Sequence, residues 1–157
     1  MKLAIVGLAT SDPYDFGEVL KSRDIEIACV WDYEHSKADQ YHRRFGGEIL
    51  DDINLVADAG VDGAIVSVRQ GDHARYALPF IEGGVPTLIN YPIGLTQQET
   101  DRIMEAVEEH RTPIMFARGI GDFAAVTQAF LELCDIGEVI THPDEPVEVV
   151  YPVALRS

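Results

Sequence analysis

Apolar positions along this chain of 157 residues switch repeatedly between two signatures. Leu3 to Val6 is a continuous apolar run closed by Gly7, the pattern of a strand buried on both faces. Ser11-Asp12-Pro13 then supplies capping residues and a proline suited to a first helical position, so a helix is expected to about Ser22. Ile25 to Trp31 reads as a second strand ending at Asp32. Glu34 to Phe45 reads as a polar helix stopped by Gly46-Gly47. Glu48 to Leu50 is a short third strand, and Asp51-Asp52 caps a short helix to about Ala59.

The alternation continues. Gly63 to Val68 is a fourth buried strand, and Gly71-Asp72 opens a helix with an apolar stripe at Ala74, Ala77, Leu78 and Ile81. Pro79 within that helix predicts a kink, and Gly83-Gly84 ends it. Val85 to Asn90 is a fifth strand, Thr96-Gln97-Gln98-Glu99 a capping box for a helix to about His110, and Pro113 to Ala117 a sixth strand. Beyond it lie a helix over Asp122 to Cys134 and extended pieces at Glu138 to Thr141 and Val147 to Tyr151. Strands separated by helices imply right-handed crossovers and a doubly wound parallel α/β sheet. Ligands of such sheets sit at the carboxyl ends of the strands, here near Gly7–Asp12, Asp32, Ser67–His73 and Asn90–Pro92.

Composition is that of an ordinary globular domain, with 46% hydrophobic and 25% charged residues. No apolar run approaches the roughly 18 residues of a membrane span, and the N-terminus lacks a signal-peptide core. The chain is therefore expected to be a cytoplasmic protein that does not bind membranes. Cys29 and Cys134 lie in apolar segments and read as buried free thiols. Charge is the outlier: 27 acidic residues face 12 basic ones, for a net charge of −15, and only Lys2, Lys21 and Lys37 are lysines. Such a surface repels phosphate backbones, so nucleic acid is excluded as a partner. It suits either a high-salt cytoplasm or an acidic protein of ordinary surroundings.

The first strand-to-helix turn reads Gly7-Leu8-Ala9-Thr10-Ser11-Asp12. A dinucleotide fold calls for G-x-G-x-x-G here, because glycines let the backbone approach the pyrophosphate. Only the first glycine is present, and Asp12 places a carboxylate at the helix N-terminus. Two readings stand side by side: a turn whose Thr10 and Ser11 donate to an anion, or a self-capped turn. Asp32 lies at the end of the second strand, where an acid accepts from ribose hydroxyls and repels a 2′-phosphate, favouring NAD over NADP; the alternative is a solvated acid opening a turn. Tyr33 is placed to lie beside adenine. Ser67, Val68, Arg69, Gln70 and His73 follow the fourth strand, and Asn90, Tyr91 and Pro92 end the fifth. Tyr91 and His73 are the catalytic candidates, although a lone histidine at a helix start is also an ordinary structural residue. His35, His42, His73, His110 and His142 lack the spacing of a metal site.

As a set, these features resemble the N-terminal dinucleotide-binding, Rossmann-like domain of the Gfo/Idh/MocA oxidoreductases. The likeness is carried by Lys2–Gly7, Val30-Trp31-Asp32, Arg44-Phe45-Gly46-Gly47, Asp62-Gly63-Ala64-Ile65-Val66 leading to His73, and Ala77-Leu78-Pro79-Phe80-Ile81-Glu82-Gly83-Gly84. Gly94-Leu95-Thr96 and Ile136-Gly137-Glu138-Val139 complete it, the latter like the family's I-G-E-V that opens the second domain; the turn Gly7–Ser11 is similar to a subgroup reading G-L-D-T-S-H. The resemblance implies a Rossmann-like domain over residues 1–118, with 119–157 as a remnant of the substrate domain. It also implies NAD as cofactor and hydride transfer with a sugar or polyol. Asn90-Tyr91-Pro92 stands in the slot of the family's E-K-P, so the lysine that lies by nicotinamide and substrate is replaced by Tyr91, a weaker proton donor at neutral pH. Little chain remains to build a substrate wall, which leaves three readings: an oxidoreductase completed by a partner, a non-catalytic Rossmann domain working through association, or a fragment of a longer enzyme. Phe123, Val126, Phe130, Leu131 and Leu133 are expected to be left exposed by the missing domain and to form a homodimer through 119–157.

Overall fold

A computed structural model describes residues 1–90, 92–117, 122–136 and 147–150. Strands and helices alternate as β1 Lys2–Val6, α1 Asp12–Ser22, β2 Glu26–Trp31, α2 His35–Phe45, β3 Glu48–Ile49, α3 Ile53–Ala57 and β4 Gly63–Val66. They continue as α4 His73–Glu82, β5 Thr87–Asn90, α5 Gln97–His110, β6 Ile114–Ala117, α6 Phe123–Ile136 and β7 Val147–Val150. The sheet order is β3-β2-β1-β4-β5-β6-β7. The first six strands pair in parallel, and β7 adds an antiparallel edge on β6, with Ala117 opposite Val147 and Ile114 opposite Val150. Strand order reverses between β1 and β4, which places the switch-point crevice over the end of β1.

Alternate strand residues feed two cores, as the two-residue period requires. Ala4, Val6, Cys29, Val66 and Ile89 face α3, α4 and α5, packing with Val56, Phe80, Ile81, Ile103 and Val107. Leu3, Ile5, Val30, Ile65 and Leu88 face α1, α2 and α6, packing with Phe16, Leu20, Tyr41 and Phe130. Thr96 accepts from the Glu99 N–H and Glu99 accepts from Thr96, the capping box expected at the start of α5. Asp52 caps α3 by accepting from Asn54 N at 2.9 Å. Helix α4 runs through Pro79, whose carbonyl accepts from Gly83 N at 3.1 Å. Both cysteines are free, and burial pushes the Cys29 thiol up to about 11 and the Cys134 thiol to about 12.

One expectation is corrected. The apolar side of α6 is not an exposed stripe: Phe130 and Leu133 are fully buried, and Val126 and Leu131 nearly so. Helix α6 lies on the same sheet face as α1, and Phe123 packs edge-on against Phe16 with ring centroids 5.1 Å apart. The Leu3–Phe16–Leu88 face has to be covered, and α6 covers it within the chain. The basis for dimerisation through that stripe is therefore gone. The extended piece expected at Glu138–Thr141 lies outside the described residues, and the one expected at Val147–Tyr151 is seen as β7. Among the described residues no helix is long and apolar enough to cross a membrane, and no group of three or more metal-ligating side chains comes together.

Candidate functional site

Gly7 leaves β1 with φ of +85°, a left-handed conformation that favours glycine. A Cβ here would lie 2.5 Å from the Ser67 carbonyl oxygen and 2.7 Å from Val68 Cγ1, so the turn rests directly on the end of β4. Most backbone donors of the turn are consumed. Gly7 N donates to the Trp31 carbonyl at 2.7 Å and Ala9 N to the Ser67 carbonyl at 3.1 Å, while Leu8 N donates to Asp32 Oδ2 at 2.7 Å. At the start of α1, Asp12 N donates to Thr10 Oγ1 at 3.3 Å, Pro13 has no N–H, and Tyr14 and Asp15 donate to the Ser11 carbonyl. Two adjacent N–H groups, those of Thr10 and Ser11, have no acceptor among the described residues. The donors flanking the turn are thus engaged and its middle is open among the described residues; α1 has no side-chain cap, and the Asp12 carboxylate accepts from Asn90 and from none of the turn's N–H groups.

Asp32 is 8% exposed, so it is no solvated acid. Its Oδ2 receives Leu8 N and its Oδ1 receives Glu34 N at 2.9 Å, which fixes the carboxylate while leaving each oxygen a further lone pair. Tyr33 donates its hydroxyl to Asp72 Oδ2 at 2.6 Å. Burial, then that hydrogen bond, raises the phenol well above its ordinary range. The Tyr33 ring stands edge-on to Trp31 at 4.9 Å and to Tyr76 at 5.6 Å, and the Arg69 guanidinium lies over it, 4.3 Å from the centroid. Asp72, Trp31 and Tyr76 were not singled out from the sequence. Only the position of Asp72 before a helix marked it, and nothing local linked it to Tyr33, 39 residues away.

A second polar cluster spans the ends of β1, β4 and β5. Asn90 Nδ2 donates to Ser67 Oγ at 3.2 Å, Asp12 Oδ2 at 3.1 Å and Thr10 Oγ1 at 3.4 Å, and Thr10 and Ser67 share a hydrogen bond of 3.1 Å. The candidates at the ends of β4 and β5 thus meet, but they bond to one another. Val68 is buried beneath Gly7, Gln70 is exposed, Pro92 is partly buried, and Tyr91 lies outside the described residues. His73 is 2% exposed at the first turn of α4, and neither Nδ1 nor Nε2 has a partner among the described residues. Burial lowers its pKa, against the opposing pull of Asp72 and Glu99.

Comparison with known proteins agrees with this architecture. The model of an oxidoreductase family with an NAD-binding Rossmann fold, Gfo/Idh/MocA, matches residues 1–117. Among solved structures, biliverdin reductase from Synechocystis sp. PCC 6803, in complex with biliverdin and NADP+, is 17% identical with a TM-score of 0.67 over 74% of this chain and 37% of its own. A 3-ketoreductase from Actinomadura kijaniata, with TDP-benzene and NADP, is 18% identical with a TM-score of 0.66 over 74% and 36%. An oxidoreductase from Thermotoga maritima is 19% identical with a TM-score of 0.67 over 74% and 37%. At these identities the likeness is one of fold, and the matched region is little more than a third of each solved chain. A search of curated proteins gave no match. The family model covers well over half of the sequence, and the chain belongs to the Gfo/Idh/MocA oxidoreductase family through its NAD-binding Rossmann domain.

Proposed function

We propose that this chain is the nucleotide-binding module of an NAD-linked oxidoreductase, with NAD preferred over NADP, acting on a sugar or polyol once a second polypeptide completes the substrate side. The observation that carries it is the pair of N–H groups at Thr10 and Ser11 without an acceptor among the described residues, in the turn whose Leu8 N–H the carboxylate of Asp32 holds. Two adjacent backbone donors beside a helix N-terminus suit a pyrophosphate. Asp32 keeps lone pairs for ribose hydroxyls, and its charge opposes a 2′-phosphate. When bound, the nicotinamide would supply hydride chemistry; this chain contributes binding and orientation. A cytoplasmic setting keeps Cys29 and Cys134 as thiols.

A second reading is a non-catalytic module that binds a nucleotide and works through association. Two features favour it: tyrosine instead of lysine at position 91, and an Asn90 amide spent on Ser67, Asp12 and Thr10. Calorimetric titration with NAD+ and NADP+ tests the common core of both. NAD+ is expected to bind at least about tenfold more tightly than NADP+, and Asp32→Ala to weaken NAD+ by about tenfold or more. Equal affinity for the two cofactors would remove Asp32 from the assignment. Heat from neither would remove nucleotide binding altogether. Turnover of a sugar or polyol with NAD+ by the assembled protein separates the first reading from the second.

A further inference from the structure

Asp12 is the one charged residue of the turn Gly7-Leu8-Ala9-Thr10-Ser11-Asp12, and it stands where G-x-G-x-x-G calls for the third glycine. It is the first residue of α1, at the positive end of an 11-residue helix. Its Oδ2 accepts from Asn90 Nδ2 at 3.1 Å, and the same nitrogen lies 3.2 Å from Ser67 Oγ and 3.4 Å from Thr10 Oγ1. Thr10 Oγ1 also receives the Asp12 N–H at 3.3 Å. The carboxylate is thus held close to the Thr10 side chain, well inside a Debye length of about 10 Å. Asp32 holds the other flank of the turn through the Leu8 N–H. In the chain, the Thr10 and Ser11 N–H groups fall between Leu8, which Asp32 holds, and Asp12.

A helix N-terminus favours negative charge, and a carboxylate already there offsets part of that attraction. The charge that a ligand brings to this point therefore matters more than at a glycine turn. In a pyrophosphate esterified at both ends, as in NAD+ or ADP-ribose, each phosphorus carries a single negative charge. In ADP the terminal phosphate carries about two once the pH is well above its second pKa of about 6.

We propose, on the nucleotide-binding reading above, that Asp12 is a specificity-determining residue: it admits a pyrophosphate esterified at both ends and turns away nucleotides that end in a free phosphate. Sheet order gives the direction. Asp32 follows β2, the turn follows β1, and the strands run β2-β1-β4-β5. A ligand with its ribose on Asp32 and its pyrophosphate on the turn continues toward β4 and β5. Asp12 is held on that far side, by the amide of Asn90 at the end of β5. The second phosphorus is the one that meets its charge. Asn90 fixes the carboxylate and so acts as a positioning residue.

The test is calorimetric titration of the whole chain with ADP-ribose, ADP and the β-methyl ester of ADP, at about pH 8, where the terminal phosphate is ionised. The ester differs from ADP by one methyl group and one charge, so the pair separates charge from the contacts of a second ribose. At 0.1 M KCl the ester is expected to bind about fivefold or more tightly than ADP. Asp12→Asn keeps the side-chain shape and an acceptor oxygen for Asn90. In that variant ADP gains most, and the gap falls below about twofold. In 2 M KCl, where the Debye length is below about 3 Å, the gap in the parent narrows in the same way. ADP as tight as its ester in the parent overturns the proposal while nucleotide binding stands. So does a gap unchanged in Asp12→Asn or, should that variant not fold, a gap unchanged by 2 M KCl. Absence of binding by all three ligands overturns both the proposal and the nucleotide-binding reading.

Discussion

A histidine with neither ring nitrogen bonded is costly where water is excluded, and among the described residues His73 at the start of α4 has no partner for either nitrogen. The sequence left it between a structural and a catalytic role. Its burial favours the neutral form, and Asp72 and Glu99, the charges that act on it, only partly oppose this. The folded-state pKa therefore lies below the ordinary value of 6.5, and the unfolded chain binds the extra proton first as pH falls. The contribution of His73 is fully present above about pH 6.5 and is lost progressively below it, down to the folded-state pKa. Urea unfolding between pH 7.5 and 5 is expected to show stability falling by up to about 1.4 kcal/mol per pH unit in that window. His73→Leu, which removes both unsatisfied nitrogens, is expected to flatten the slope at little cost at pH 7.5. A variant as pH-sensitive as the parent would assign the effect to other groups.

Helix α6 shows at the scale of elements how a correct period can lead to a wrong surface. Its apolar residues recur at helical spacing, which identified the helix, but spacing does not say what covers it. The structure seals it onto α1 and the Leu3–Leu88 face of the sheet. Phe130, fully buried among those side chains, is the direct probe. Phe130→Ala is expected to cost about 3–5 kcal/mol of unfolding free energy, as for a large core truncation, read from the urea midpoint. A loss below about 1 kcal/mol would mean that α6 is detachable, and would restore its apolar side as an interface.

The whole molecule carries a charge of −15 on 157 residues, and from Gly119 to Leu155 there are seven acids and no lysine or arginine. The described ion pairs, such as Lys2–Glu26, Lys37–Glu34 and Arg43–Asp39, are mostly exposed and add little individually. Repulsion among the remaining carboxylates opposes compaction at low ionic strength and is screened at high. If the acidity answers a high-salt cytoplasm, the melting temperature rises by roughly 5 °C or more between 0.1 M and 2 M KCl. A melting curve indifferent to KCl would leave an acidic protein of ordinary surroundings.

The order of strands and helices was legible in the sequence because periodicity, caps and glycine stops are local. The Leu3–Val6 run, the Gly7 turn and the Thr96–Glu99 box each state their structure within a few residues. From that order the doubly wound sheet and its switch point follow, and with them the place of the candidate site. What the turn could still bind was not legible, because the partners that consume its donors come from elsewhere in the chain. Asp32 takes the Leu8 N–H across 24 positions, and Asn90 reaches Asp12 across 78. The Arg69–Tyr33 stack and the burial of α6 are likewise meetings of distant segments. Sequence by itself determined the fold and its crevice, since these depend on short-range pattern. Tertiary structure alone decided which groups in the crevice remain free, since that depends on which distant side chains the sheet brings within hydrogen-bonding reach.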